Sequence, residues 1–315
     1  MRAEVAAAMT IGVVLYPPAS GNLVDDLVAK AKEAQATGLR SAWFAQQFSH
    51  DAIGVAGLVG REVPGLAVGT SVVPISARHP ILISSQAQTA QAAAHGSFQL
   101  GLGLGARSLM EPAFGGDHDR PVARLREFLT ALVSLLETGA ADFHGELITA
   151  APPLPAGVPG ATPRVPVLVA AMAPQALRVT GELADGTLPF LAGPRALGEH
   201  IVPAITAAAE RAGRPAPRII AFVAGVVTDD VDAAREAAAQ ATSFYDRIPS
   251  YQRVIALEGA AKAAELVEIG DEKAVTAAVR RYFDAGATEV VFTQTDLVGE
   301  DARARTWRLL GELAG

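Results

Sequence analysis

The chain contains no cysteine. That excludes disulfides, thiolate metal sites and cysteine nucleophiles, and it leaves the redox compartment unmarked. Aromatic residues make up 5% of the chain and charged residues 19%. Among the charges acid prevails, with a net of −7 and a pI near 5.4, which argues against nucleic-acid and anionic-membrane partners. No apolar run reaches the roughly 18 residues of a membrane span. The start does not suit a secretory signal either: Arg2 is offset by Glu4, and the apolar run at residues 11–16 reads as a first strand. The expected location is cytoplasmic.

Several chemical motifs are also missing. The six histidines, His50, His79, His95, His118, His144 and His200, show no H-x-x-x-H or H-E-x-x-H spacing, so no metal centre is expected. The run Asp117-His118-Asp119 could mimic a metal site but reads better as a solvated loop. A G-x-S-x-G elbow and a G-x-x-x-x-G-K-[ST] phosphate loop are both absent.

What is present is apolar content, half of the 315 residues, in a regular alternation. Strand-like runs at 10–16, 40–46, 66–74, 97–104, 165–170, 186–191, 218–228 and 288–293 are separated by helix-length segments. Strands alternating with helices pair in parallel through crossovers. Eight such units in one chain predict an α/β fold, a (β/α)8 TIM barrel forming a single domain over 1–315. An open doubly wound sheet would more often carry G-x-G-x-x-G after its first strand, where this chain has Tyr16-Pro17-Pro18-Ala19-Ser20-Gly21. Insertions at about 142–165, rich in proline, and 246–269 are expected near the barrel mouth or in a subunit contact.

Chemistry in such a barrel sits at the carboxyl ends of the strands. After strand two, the amides of Gln46 and Gln47 suit the edge of a heterocycle, although the same run also reads as an ordinary polar loop. Strand three ends Gly69-Thr70-Ser71-Val72-Val73-Pro74, where glycine could admit a flat ring or simply belong to a β-branched strand. In strand four, Gly101, Gly103 and Gly105 share one face, bare to a ligand or tightly packed, with Arg107 beyond to hold an anion or orient a substrate. Strand five leads through Ala170, Ala171, Met172 and Ala173 to Pro174, a fitting first helical residue. Small residues there leave backbone N–H groups for a phosphate. Asp185 is expected to hold the turn into strand six.

Taken together, these segments resemble the luciferase-like monooxygenase superfamily, and within it the branch that uses the deazaflavin coenzyme F420. Four segments carry the resemblance, over about residues 10–295: Gly38-Leu39-Arg40-Ser41-Ala42-Trp43-Phe44-Ala45-Gln46-Gln47-Phe48; Val68-Gly69-Thr70-Ser71-Val72-Val73-Pro74 with Arg78-His79-Pro80; Phe98-Gln99-Leu100-Gly101-Leu102-Gly103; and Val167-Leu168-Val169-Ala170-Ala171-Met172 through Gly181-Glu182-Leu183-Ala184-Asp185-Gly186-Thr187.

The resemblance implies a strand-three bulge at Ser71 and Val72, followed by Val73, that backs the deazaflavin ring through a nonprolyl cis peptide. It places Leu104 and Gly105 along the cofactor and Ala170, Ala171, Met172 and Ala173 near its phosphate. Gln46 and Gln47 stand where relatives often carry Asp-His. Alcohol- and sugar-phosphate-oxidising relatives use a histidine and a glutamate where this chain has Gln47 and Ala106. Gln cannot act as acid or base near neutral pH. The implied activity is thus an oxidoreductase, a reductase passing hydride from reduced F420 to an activated C=C or C=N bond of a small molecule. Gln47 and Arg107 would serve at the substrate, and the proton would come from solvent or an unassigned residue. An FMN-dependent monooxygenase and a non-catalytic cofactor-binding protein are the alternatives. A homodimer, sharing apolar helices such as 122–136, is a further expectation.

Overall fold

The computed structural model describes residues 9–115 and 119–315. Gly116, Asp117 and His118, and with them most of the Asp-His-Asp run, lie outside the described residues.

Eight parallel strands close a barrel: β1 (Ile11–Val14), β2 (Ser41–Phe44), β3 (Ala67–Thr70, resuming at Val73–Pro74), β4 (Phe98–Gly103), β5 (Val167–Val169), β6 (Gly186–Thr187), β7 (Arg218–Val227) and β8 (Glu289–Thr293). Closure is by β1, which pairs with β2 through Gly12↔Ser41 and with β8 through Ile11↔Val290. The TIM barrel read from the alternation is the observed fold.

Period-two alternation sorts each strand between the barrel interior and the helices. On β1, Ile11, Val13 and Leu15 face the helical layer, whereas Val14 joins Trp43, Leu168, Leu188, Ile220, Phe222 and Val291 in the interior. Trp43 is the plug, fully buried, with its ring edge-on to Phe222 at 5.4 Å. A Cβ on Gly69 would overlap the Trp43 ring. The flat ring admitted by that glycine is therefore the protein's own.

Beneath Trp43 lies a polar floor. Glu289 accepts from Ser41 Oγ at 2.6 Å, from Arg218 Nη2 at 2.9 Å and from Trp43 Nε1 at 3.3 Å. Burial pushes the Glu289 carboxyl above the usual range, against the pull of these donors.

Around the barrel run α1 (Leu23–Ala36), α2 (Ala52–Glu62), α3 (Pro80–Ala93), α4 (Arg107–Phe114), α5 (Pro121–Thr138), α6 (Pro174–Leu183), α7 (Val202–Arg211), α8 (Val231–Thr242), α9 (Pro249–Glu258), α10 (Glu272–Asp284) and α11 (Glu300–Ala314). Asn22 caps α1 through bonds to Val24 N and Asp25 N, and Gly38 ends it at φ +98°. Helix α2 is absent from the sequence reading because three glycines dilute its helix propensity. Packing explains them: a Cβ on Gly57 would lie 3.1 Å from Ala90 Cα, and one on Gly60 2.6 Å from Ala94 Cβ. The glycines let α2 approach α3 closely. On α5, Leu125, Phe128, Leu129, Leu132 and Leu135 are all buried within the protomer, so this apolar face is not left over for a dimer partner.

The insertions differ in place. Residues 142–165 form a small hairpin (Phe143–His144 with Thr149–Ala150) whose turn is fastened to Glu127 by three backbone N–H groups, then an extended strip along α3 held by Gln88 and Gln91. The strip lies on the outer wall; near the rim, Thr149 O meets His79 Nε2 at 2.9 Å. Residues 246–269 fold into α9, a 3-10 turn and an accessory strand (Glu268–Gly270) that pairs with the far end of β7. Tyr251 of this second insertion, and Tyr245 just before it, pack onto Phe190 after β6, at 6.2 and 5.2 Å between ring centroids.

Candidate active site

At the carboxyl ends of the strands, three side chains cap the interior cluster: Tyr16 after β1, Val72 in the break of β3, and Phe190 after β6. The Ser71–Val72 peptide is cis, at the position the family resemblance implies. Two glycines at and just past the end of β4 make room beside it. Gly103 faces Val72, and Gly105, at φ +81°, faces Met110 and Ser76. Gly101 does not belong to this surface. It is packed on the Thr70 carbonyl, and its own N–H donates to Thr70 Oγ1 at 2.9 Å.

Among the described residues, the buried side-chain atoms without a partner include Ser71 Oγ and Ser76 Oγ in and after β3 and Gln294 Oε1 past the end of β8. Buried polar atoms left unbonded cost on the order of 1–3 kcal/mol each, so an unfilled set marks a place for a ligand. A flavin or deazaflavin ring carries both N–H donors and carbonyl acceptors along one edge. Hydroxyls that give and accept, together with one amide oxygen, suit that edge. Gln294 also takes φ +56°, a conformation uncommon outside glycine. Ser76 and Gln294 were not singled out in the sequence. Their only signal is position, just past the ends of β3 and β8.

The expected phosphate site lies at the start of α6. Ala173 is its N-cap and supplies no side-chain bond, and Pro174 is its first residue, which leaves first-turn N–H groups unpaired by side chains. Ala170, Met172 and Ala173 are partly exposed there. Ala171 is not: its side chain is buried in the helix-facing core, and its N–H bonds to Val169 O at 2.8 Å. Val73 is likewise wholly buried on the helix side, so it supports the bulge and does not line the mouth. Leu104 packs partly against the same core, and Gly105 is exposed beside it.

The rim residues separate into structural and free. Gln46 is tied down: its Nε2 donates to His50 O at 2.6 Å and Gln47 O at 2.7 Å, and its Oε1 accepts from Arg78 Nη2 at 3.0 Å and Ala52 N at 3.1 Å. With Arg78 paired to Asp51 at 2.7 Å, this set shapes the loop into α2. Gln47 is exposed beside it. Arg107 is 58% exposed at the start of α4 and is shared between Glu111 at 3.0 Å and Asp119 at 2.8 Å. Those carboxylates raise its pKa further, so it is a fixed cation at the rim. Asp185 holds the turn into β6, accepting from Val167 N at 2.7 Å and Arg164 at 2.6 Å, away from the mouth.

The mouth is thus an apolar floor with hydroxyl and amide edges and a rim of paired charges. Among the described residues no group of three or more His, Cys, Asp or Glu side chains is placed to hold a metal ion, and no helix is long and apolar enough to cross a membrane.

The sequence profile of the luciferase-like monooxygenases matches residues 5–306. The chain belongs to this family of oxidoreductases. An uncharacterized protein of Mycobacterium tuberculosis is 30% identical over 254 residues, covering 76% of this chain and 74% of the relative. A second protein of that organism, named as a coenzyme F420-dependent oxidoreductase, is 27% identical over 230 residues, 66% of this chain and 63% of the relative. Among solved structures, an F420-dependent secondary alcohol dehydrogenase bound to an F420-acetone adduct superposes with a TM-score of 0.81 at 16% identity, covering 98% of this chain and all of that one. The oxygenating constituent of 3,6-diketocamphane monooxygenase from Pseudomonas putida, solved with FMN, gives 0.74 at 14% identity, covering 97% of each chain. The structural neighbours of this luciferase-like barrel therefore include users of both cofactors.

Proposed function

We propose that this luciferase-like enzyme is an F420-dependent reductase acting on an activated C=C or C=N bond of a small molecule. The observation that carries the reading is the mouth itself: unpaired atoms of Ser71 and Ser76 at the cis Ser71–Val72 bulge and of Gln294 past the end of β8, without an acid–base pair at Gln47 and Ala106. Bound reduced F420 would supply a hydride. Val72 and Phe190 would support the ring, Ser71, Ser76 and Gln294 would hold its polar edge, and the first turn of α6 would take its phosphate. Gln47 and Arg107 would meet the substrate at the rim. The similarity to a named F420-dependent relative supports the cofactor choice.

Equilibrium dialysis against F420 and FMN tests the cofactor. Micromolar F420 binding is the expected result, and binding of FMN without F420 overturns it. Oxidation of reduced F420 by enone and imine probes, without oxygen uptake, tests the reaction. Oxygen consumption with reduced FMN would instead indicate a monooxygenase, and bound cofactor that no probe turns over would indicate a binding protein.

A homodimer is proposed through the α2–α3 face, where Leu58 and Leu82 stay exposed and a groove of about 320 Å3 is lined by Gly54, Gly57, Leu58, Thr89 and Ala93. Sedimentation velocity of the purified protein and of Leu58→Glu tests it.

A further inference from the structure

The reductase reading leaves a proton unassigned. Hydride addition to one atom of a polarised double bond leaves an electron pair on the other, and that atom must be protonated. The residues at Gln47 and Ala106 cannot do this, so the acid is another group at the mouth.

Alternation along β1 carries Gly12, Val14 and Tyr16 to the barrel interior, and Tyr16 is the last of them, past the carboxyl end of the strand. It packs on the interior cluster with Val72 and Phe190, the side chains assigned above to the cofactor's floor. Its hydroxyl bonds Thr293 Oγ1, the last interior residue of β8, and lies beside the Gln294 backbone. Its carbonyl accepts from Lys30 Nζ at 3.1 Å, which fixes the end of β1. Taken whole, the residue is partly exposed at the mouth end of β1, while its phenol oxygen is largely buried against Thr293. Tyr16 is thus a hydroxyl donor between the floor and the opening, anchored on both sides.

We infer that Tyr16 is the proton donor of the reaction. This rests on the reductase reading. A bound reduced deazaflavin would supply the hydride to one atom of the substrate's double bond; for the neighbouring atom, the Tyr16 O–H breaks and its proton bonds there. The electron pair of the O–H bond stays on the phenolate oxygen, where the Thr293 hydroxyl donates to it, and solvent then returns a proton. Burial raises the Tyr16 pKa to about 12, and the facing groups Tyr245 and Asp296 push the same way, so the phenol keeps its proton throughout the neutral range.

Two measurements on Tyr16→Phe test the assignment. With reduced F420 and cyclohex-2-enone, kcat should fall about 100-fold, while the F420 Kd and the enone KM stay within about threefold. The second needs no turnover. 4-Nitrophenol, above its own ionisation point, presents an anionic oxygen like the developing one. Wild type should bind this phenolate about tenfold more tightly than Tyr16→Phe, as expected for one hydrogen bond to a charge. Thr293→Val keeps the phenol but removes its partner and should give an intermediate loss, which covers the case of Tyr16→Phe failing to fold. Equal phenolate binding by wild type and Tyr16→Phe, no binding by wild type, or parallel loss of F420 affinity overturns the inference. Failure of wild type to bind F420 overturns the cofactor reading instead, and the phenolate comparison still decides the role of Tyr16.

Discussion

A Cβ placed on Gly103 would stand 2.6 Å from Cγ2 of Val72. Strand β4 passes so close to the Ser71–Val72 bulge that a methyl group must displace Val72. The expected outcome for Gly103→Ala is therefore a shift of Val72 into the mouth. Overpacking of this kind costs about 1–3 kcal/mol. F420 titration should show weakening of at least about tenfold, beyond what a drop of a few degrees in Tm explains. Unchanged F420 binding would detach Val72 from the cofactor.

The two glutamines after β2 should behave differently. Gln46→Ala removes bonds to Gln47, His50, Ala52 and Arg78, and chemical denaturation should show a loss of about 1–3 kcal/mol. Gln47→Ala removes an exposed side chain, so Tm should not move. Its effect should appear in the substrate KM, and unchanged KM and kcat would remove Gln47 from the site.

Glu289 lies far from the mouth yet holds its plug. In Glu289→Ala, the Ser41 hydroxyl loses its acceptor and Arg218 its partner, while the Trp43 N–H keeps only Ser41 Oγ at 2.9 Å. Breaking a buried pair costs about 3–5 kcal/mol, and the 37% exposure of Arg218 puts this case at or below the lower end. Glu289→Gln should lose less in urea melts, because it keeps an acceptor oxygen.

A pH test falls at the opposite edge of the barrel. Arg305 donates to both oxygens of Glu272, at 2.5 and 2.7 Å, and holds that carboxyl down from 4.5 to about 2. A depressed carboxyl contributes stability above its unfolded pKa and loses it as pH falls through the folded value. The Tm of Arg305→Ala should trail wild type at neutral pH, and this part of the gap should close between about 4.5 and 2. A gap that persists unchanged below that window would show that Arg305 stabilises the fold by something other than pairing with Glu272.

Much of the site was legible in the strand ends. The bulge at Ser71–Val72, the helix start at Pro174 and the turn held by Asp185 stand where the sequence puts them. Other readings failed for identifiable reasons. Gly69 and Gly101 look like openings for a ligand in one dimension, but Trp43 and the Thr70 carbonyl, brought from neighbouring strands, fill them. Gln46 looks like a free amide until Arg78 and Ala52 arrive from thirty-two and six residues away. Val73 and Ala171 are next to mouth residues, but alternation turns their side chains to the helices.

By itself the sequence determined the barrel, its family and the strands whose ends make the mouth. Those depend on local periodicity and on small-residue patterns, which need no distant partner to be read. Only the tertiary structure decided which glycines stay open, which polar atoms are left unpaired, and that Tyr16 meets Thr293 across 277 residues of chain. Such facts arise when β1 closes on β8, because closure sets which side chains find a partner and which do not.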